Sequence, residues 1–264
     1  MSGRRHPILR LWPALVVVAA LIGAWQLAAS SGVLADALGL DSFLVPSPAE
    51  IGSSLWEDRS LLADNAWVTF VEVLAGFAAA LLLGTACAVL LHLSPLLRRV
   101  SYPLVIASQT IPVIVIAPIL VVWFGFGIGP KVAIIALICF FPITVNALDG
   151  LATVPSDQRK LMRSLGAGRL RVLSSLEAPT ALPFLLSGAK IAAAVAVIGA
   201  VFGEWAGADE GLGHLMLVDN AKLEVARLFA AMVWLSAMAL VLFGLLTLIE
   251  RRVAWWGTGR DGAS

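Results

Sequence analysis

The chain has 264 residues, of which 60% are hydrophobic and only 13% charged, and its mean hydropathy is +0.94. That polar complement is too small to enclose a water-soluble globule, so the composition specifies an integral membrane protein. The formal net charge of +1 excludes a nucleic-acid partner, because the basic residues are divided among loops and not pooled on one face.

The first apolar run, Leu11 to Ser30, follows Arg4, Arg5 and Arg10. At about twenty residues it exceeds the apolar core of a signal peptide, which predicts an uncleaved first span with Trp12 and Trp25 near its ends. Ser31 to Asn65 holds Asp36, Asp41, Glu50, Glu57, Asp58 and Asp64 against Arg59 alone, and reads as an external loop. Within it, Ser47-Pro48-Ala49-Glu50 predicts a short helix, with Ser47 as cap and Pro48 in the first turn.

An uncharged run from Val73 to Leu91 predicts the second span, and the Arg98-Arg99 turn after it belongs inside. Val100 to Pro130 is uncharged throughout and as straight helix would measure roughly 46 Å, more than the hydrocarbon core. Charge parity selects one tilted or broken span over a hairpin, because a hairpin would put the basic 150–183 segment outside. Pro103, Pro112 and Pro118 would kink this span, and Gly125 to Pro130 would turn it externally. Val132 to Leu148 returns as span four, Leu182 to Phe202 is span five, Glu204 to Arg227 is external, and Leu228 to Ile249 is span six. Arg251-Arg252 and the Trp255-Trp256 anchor place that last exit inside.

The expected architecture is therefore all-α. A tail of residues 1–10 and another of 257–264 flank one membrane domain, 11–256, with six transmembrane helices and both termini cytoplasmic. On this topology 13 of the 18 basic residues lie inside, at positions 4, 5, 10, 98, 99, 159, 160, 163, 169, 171, 251, 252 and 260.

The loop 150–183 is the longest polar segment on that side. It carries Arg159, Lys160, Arg163, Arg169 and Arg171, while Leu161, Leu165, Leu170, Leu173 and Leu176 recur at helical spacing, the pattern of a docking surface. No phosphate-binding Gly-x-x-x-x-Gly-Lys motif occurs, so the chain binds no ATP in the usual way. His6, His92 and His214 are scattered, which predicts no metal site, and Cys87 and Cys139 sit in apolar runs as small hydrophobes. Gln109, Thr110, Thr144 and Asn146 are polar residues in apolar helices, which either bond back to their own helix or line a solute path. Lys190 either snorkels to the inner interface or makes a polar contact within the protein or along the path. Glu204 is placed at the outer interface, at an external gate or against a partner.

Leu44 to Ile51, Trp123-Phe124-Gly125-Phe126-Gly127, Phe140 to Asn146, Leu165-Gly166-Ala167, Ala178 to Pro183 and Gly203-Glu204-Trp205 occur in the order found in permeases of the nitrate/sulfonate/taurine group of ABC importers, which the chain resembles over roughly residues 10 to 256. Ile198 to Gly207 and Gly211-Leu212-Gly213 look most like the branch importing thiamine pyrimidine precursors or riboflavin. The resemblance implies a type I importer permease in the cell membrane: two copies of this chain, two cytoplasmic ATPases that bind ATP and Mg, and an external solute-binding protein. It implies no cofactor and no catalysis in this chain. It also implies that Arg163, Leu165, Gly166, Ala167 and Arg169 couple to the ATPase, and that Glu204 and Trp205 form an external gate or touch the binding protein. Where the family has Glu-Ala-Ala, this chain has Lys160-Leu161-Met162. The resemblance to that branch implies a small heterocyclic solute, with a sulfonate, taurine or nitrate importer as the alternative within the group. The uncharged path candidates by themselves suggest only a neutral or weakly charged solute, since no cationic ring for nitrate or sulfonate is visible. A secondary carrier or channel without an ATPase is the alternative from another class, but paired half-repeats and a midplane acid, which would mark one, are not evident.

Overall fold

A computed structural model of the chain describes residues 8–107, 110 and 112–253, with side chains from Trp12 onward. The path candidate Gln109, the expected Trp255-Trp256 anchor, the tail 257–264 and the first seven residues lie outside the described residues, while Ile8 to Arg10 of the expected N-terminal tail already belong to the first helix. All regular structure among the described residues is helical: α1 Ile8–Ser30, α2 Val33–Leu38, α3 Pro48–Glu57, α4 Arg59–Leu93, α5 Pro95–Ala107, α6 Val113–Phe124, α7 Ile128–Ala152, α8 Ser156–Ser164, α9 Arg169–Val172, α10 Ala178–Gly207, α11 Leu212–Lys222 and α12 Val225–Val253.

The chain divides into two compact units: the part up to Ala63 with Leu215–Val233, and Asp64–His214 with the part from Trp234. In the first unit no residue of α1 from Trp12 onward is fully buried, and most of its apolar length is exposed, as suits a helix bathed in lipid. Ser47 starts α3 with a reciprocal capping box: its hydroxyl accepts from Glu50 N–H, and its own N–H donates to the Glu50 carboxylate at 2.7 Å. The Ala49 N–H donates to Gln26 of α1 at 2.9 Å, and Trp25 and Phe229 bring their rings to 6.3 Å. Arg227 binds Asp219 at 2.6 Å and reaches Asp58 at 3.5 Å.

The second unit is built on α7 and α10, which meet through small residues. A Cβ at Gly188 would lie 2.6 Å from Pro142 O, and one at Gly199 3.2 Å from the Ile135 Cα. Ala192, Ala193, Ala196 and Ala200 are fully buried. Helix α4 closes on α7 in the same way, since a Cβ at Gly84 would lie 2.9 Å from Ile143. In lipid, helices gain little by hiding apolar area from one another, so close backbone approach supplies the attraction.

Five helices are long and apolar enough to cross a membrane: those spanning Trp12–Ser30, Arg59–Leu93, Ile128–Ala152, Arg169–Gly207 and Val225–Val253. The sequence placed the second span from Val73, yet α4 is helical from Arg59. Its polar first half is retained because Thr69 and Glu72 find partners on other helices. Likewise the expected external loop 204–227 is largely helix, and span five begins at Arg169, running through a π-turn at Leu173–Glu177 into α10.

The long run 100–130 is broken at Pro112, whose backbone is extended. Proline lacks the amide proton that a helix needs and disfavours helix in the residue before it. The resulting α5 and α6, 13 and 12 residues long, measure roughly 20 and 18 Å, each too short for a core of about 30 Å. Together they still carry the chain across once. Leu93, at the end of α4, and Leu151, in the last turn of α7, are tied into one cluster at one end of the unit, so the chain between them must change sides before α7 brings it back.

Candidate functional site

That cluster lies where the sequence placed its docking loop. Helix α8 follows the extended Pro155 and stops at a left-handed Gly166, φ 81°. There Ala167 N–H donates to Met162 O and Gly166 N–H to Arg163 O, both at 3.0 Å, which is the Schellman pairing that satisfies the last carbonyls of a helix. The Leu165-Gly166-Ala167 motif is thus a helix stop, and its glycine is required by backbone conformation. Gly168 then caps α9.

Two arginines of this loop bind the exposed ends of membrane helices. Arg159 donates to Leu151 O at 3.0 Å, and Arg169 donates to Leu93 O. Helix C-termini present unpaired carbonyls and partial negative charge, so guanidinium groups are well matched to them. Glu177, buried in the π-turn before α10, joins the two: its carboxylate lies 2.7 Å from Arg159 Nε and 2.9 Å from His92 Nε2 of α4. The loop is consequently clasped to the adjoining ends of α4, α7 and α10. Sequence reasoning missed Glu177 and His92. The available signal was that Glu177 is one of only two acids, with Asp157, in an otherwise basic loop.

Beyond the clasp the loop is bare. Leu161, Leu165 and Leu170 are 62%, 76% and 72% exposed, and Arg163, Gly166 and Arg169 are exposed with Ala167 half-buried. The Lys160-Leu161-Met162 departure leaves Lys160 against Asp157 at 3.1 Å, both well exposed, a pairing that contributes little.

The other end of the unit holds Glu204, fully buried. Its carboxylate accepts from Thr69 Oγ1 at 2.6 Å, from the Gly213 N–H and from the His214 N–H at 3.1 Å. Leu212 N–H donates to Thr69 Oγ1 at 2.8 Å, so acid and hydroxyl together cap the first turn of α11, where an anion is favoured. At Gly211, φ 116°, a Cβ would fall within the Glu204 carboxylate. The Gly211-Leu212-Gly213 string is therefore fitted to Glu204, whose side chain reaches no outside surface for the expected gate or partner contact. Trp205, 40% exposed, donates to Gly213 O at 2.9 Å. Beside them Lys131 binds Glu72 at 2.6 Å, both buried.

The path candidates are not gathered into one lining. Thr110 is exposed and donates to Ala107 O. Thr144 is buried where α4 and α7 meet at Gly84, with its hydroxyl unpaired. Asn146 bonds back to Pro142 O at 2.7 Å and packs on Gly188 of α10. Lys190 is ion-paired with Glu250 of α12 at 2.7 Å. No cluster of three potential metal ligands occurs among the described residues.

An all-helical unit with a clasped, exposed basic loop at one end fits a transport subunit driven by a partner. The chain belongs to the family of binding-protein-dependent transport system inner membrane components, whose pattern matches residues 80–255. It is an ABC importer permease, a non-catalytic subunit of a family whose ATP hydrolysis is done by a separate ATPase. Among its relatives, the formylaminopyrimidine transport permease protein ThiX of Halalkalibacterium halodurans is 37% identical over 81% of this chain and 86% of that protein. The riboflavin transport system permease protein RibX of Chloroflexus aurantiacus is 34% identical over 93% of this chain and 91% of its own length. The fold is that of the MetNI methionine ABC transporter in an inward-facing form, with a TM-score of 0.67 at 20% identity, covering 75% of this chain and 98% of that one.

Proposed function

We propose that the chain pairs with a second copy of itself, receives a small heterocyclic solute from an external binding protein, and is driven by two cytoplasmic ATPases docked on residues 156–172. The observation that carries this reading is the loop itself: three bare leucines and several bare arginines on a segment tied to the ends of α4, α7 and α10. A partner seated there moves three helices together, which is what alternating access requires. Basic residues concentrate at this end, so it faces the cytoplasm and both termini lie there.

A thiamine pyrimidine precursor or riboflavin is the proposed solute. The similarity to ThiX and RibX supports it, and so does the pairing of Lys131 and Lys190 with Glu72 and Glu250, which leaves neither ammonium free to attract a sulfonate. Permease purified with its ATPase and binding protein, reconstituted in vesicles, is expected to accumulate a labelled pyrimidine or flavin only when ATP is supplied. Accumulation of taurine or nitrate in place of these would overturn the solute assignment, and uptake without any ATPase would replace the importer with a carrier.

A further inference from the structure

A small cleft opens between the clasp and the loop, lined by His92, Arg159, Arg163, Arg169, Val172 and Glu177. Its charges do not balance. Glu177 is its only acid and is already bound to Arg159 and His92. Arg169 commits one nitrogen to Leu93 O and keeps its other donors. The Arg163 side chain has no hydrogen bond or ion pair among the described residues, although it sits on the last turn of α8 where the Schellman stop brings the chain back past it. Two guanidinium groups with spare donors therefore share one recess, an arrangement that an entering carboxylate would satisfy.

The rim identifies the anion's carrier. Leu161 on α8, Leu165 just past its end and Leu170 on α9, all well over half exposed, accompany the arginines of the same two short helices. A free phosphate or sulfate gains nothing from bare leucine, whereas a side chain projecting from a protein surface gains apolar contact around a central charge. The loop's own balance points the same way: Arg159, Lys160, Arg163, Arg169 and Arg171 stand against Asp157 alone between residues 156 and 172.

Resting on the reading of this loop as the ATPase seat, we infer that the cleft between Arg163 and Arg169 receives an aspartate or glutamate side chain of the ATPase, gripped by guanidinium and ringed by leucine. The Lys160-Leu161-Met162 substitution then has a physical sense. With no acid on the loop at this point, the ion pair across the joint has its polarity set the other way, cation on the permease and anion on the ATPase.

The test is a titration of the cognate ATPase onto permease held in discs of uncharged lipid, at about 50 and 300 mM salt, between which the Debye length falls from roughly 14 to 6 Å. Wild-type affinity is expected to weaken with salt. Arg163→Glu, which removes no internal partner, is expected to lower low-salt affinity by about tenfold or more and to flatten the salt dependence. Arg169→Gln should act in the same direction. Leu165→Ala is expected to weaken binding while keeping the wild-type salt slope. An acid-to-Arg change on the ATPase that rescues Arg163→Glu would identify the partner carboxylate. Unchanged affinity and slope in Arg163→Glu would overturn the cleft assignment and leave ATPase docking intact, whereas a wild-type permease that binds no ATPase at either salt would overturn docking itself. Normal ATPase binding by the variant, with loss of the thermal stabilisation given by added phosphatidylglycerol, would reassign the cleft to lipid headgroups.

Discussion

At the scale of single residues, Glu204 separates what a sequence displays from what it conceals. Its position after a long apolar run says only that a carboxylate lies near a membrane boundary. That it turns inward follows from Thr69, 135 residues earlier in the chain, and from two glycines whose missing side chains leave room for it. Glu204→Ala is expected to lower stability by roughly 3 kcal/mol or more, because a buried hydroxyl and two backbone N–H groups lose their acceptor at about 1–3 kcal/mol each. Gly211→Ala should be comparably damaging, since the added methyl meets the carboxylate in a backbone conformation that disfavours it. Glu204→Gln, which keeps one acceptor oxygen, should fall between. Thermal unfolding in detergent measures all three. A Glu204→Ala protein that melts like wild type but no longer responds to the binding protein would return this residue to the surface role expected from sequence alone.

Among the elements, the loop 150–183 was the most legible part of the chain, since charge, leucine spacing and a Leu-Gly-Ala string all mark it. Its glycine position was readable because a helix stop is local, closing within five residues. The clasp was not readable, because Glu177, His92 and Arg159 are brought together by tertiary packing that no local spacing encodes. A related limit applies to the run 100–130: composition shows that it is too long for one straight helix, while only the structure shows Pro112 dividing it into two short ones. The Gly166 turn supports a prediction here. Gly166→Val places a β-branched residue at φ 81°, a conformation costing about 1–3 kcal/mol, in a turn that positions the docking surface. Membrane insertion and yield should be retained and ATP-driven transport lost, as judged by uptake in vesicles beside ATPase activity. Transport at the wild-type rate would detach coupling from this turn.

For the whole molecule, charge parity bore on one crossing, that of the run 100–130. The prediction of one crossing in 100–130 agrees with helix ends that the structure ties together at Leu93 and Leu151. The partners of the intramembrane charges were not recoverable. Lys190 offered either snorkelling or a polar contact, and Glu250 decided it from 60 residues away. Orientation is open to direct measurement. In a chain with Cys87 and Cys139 replaced by serine, a cysteine at Leu161 is expected to react with an impermeant thiol reagent only from the cytoplasmic side, and one at Asp209 only from outside. The reverse pattern would invert the topology and remove the loop from any ATPase.

The wide separation of the buried polar partners also bears on how the chain is made. Glu72 and Lys131 are 59 residues apart, and Thr69 and Glu204 are 135 apart. At a synthesis rate of about 5–20 residues per second, α4 waits roughly 3–12 s for its lysine and roughly 7–27 s for the helix that completes the cap. During that interval its polar half cannot rest stably in hydrocarbon. Nascent α4 is therefore expected to stay at the insertion machinery or at the lipid surface until α7 and then α10 emerge, so that assembly of this unit would follow the order of translation.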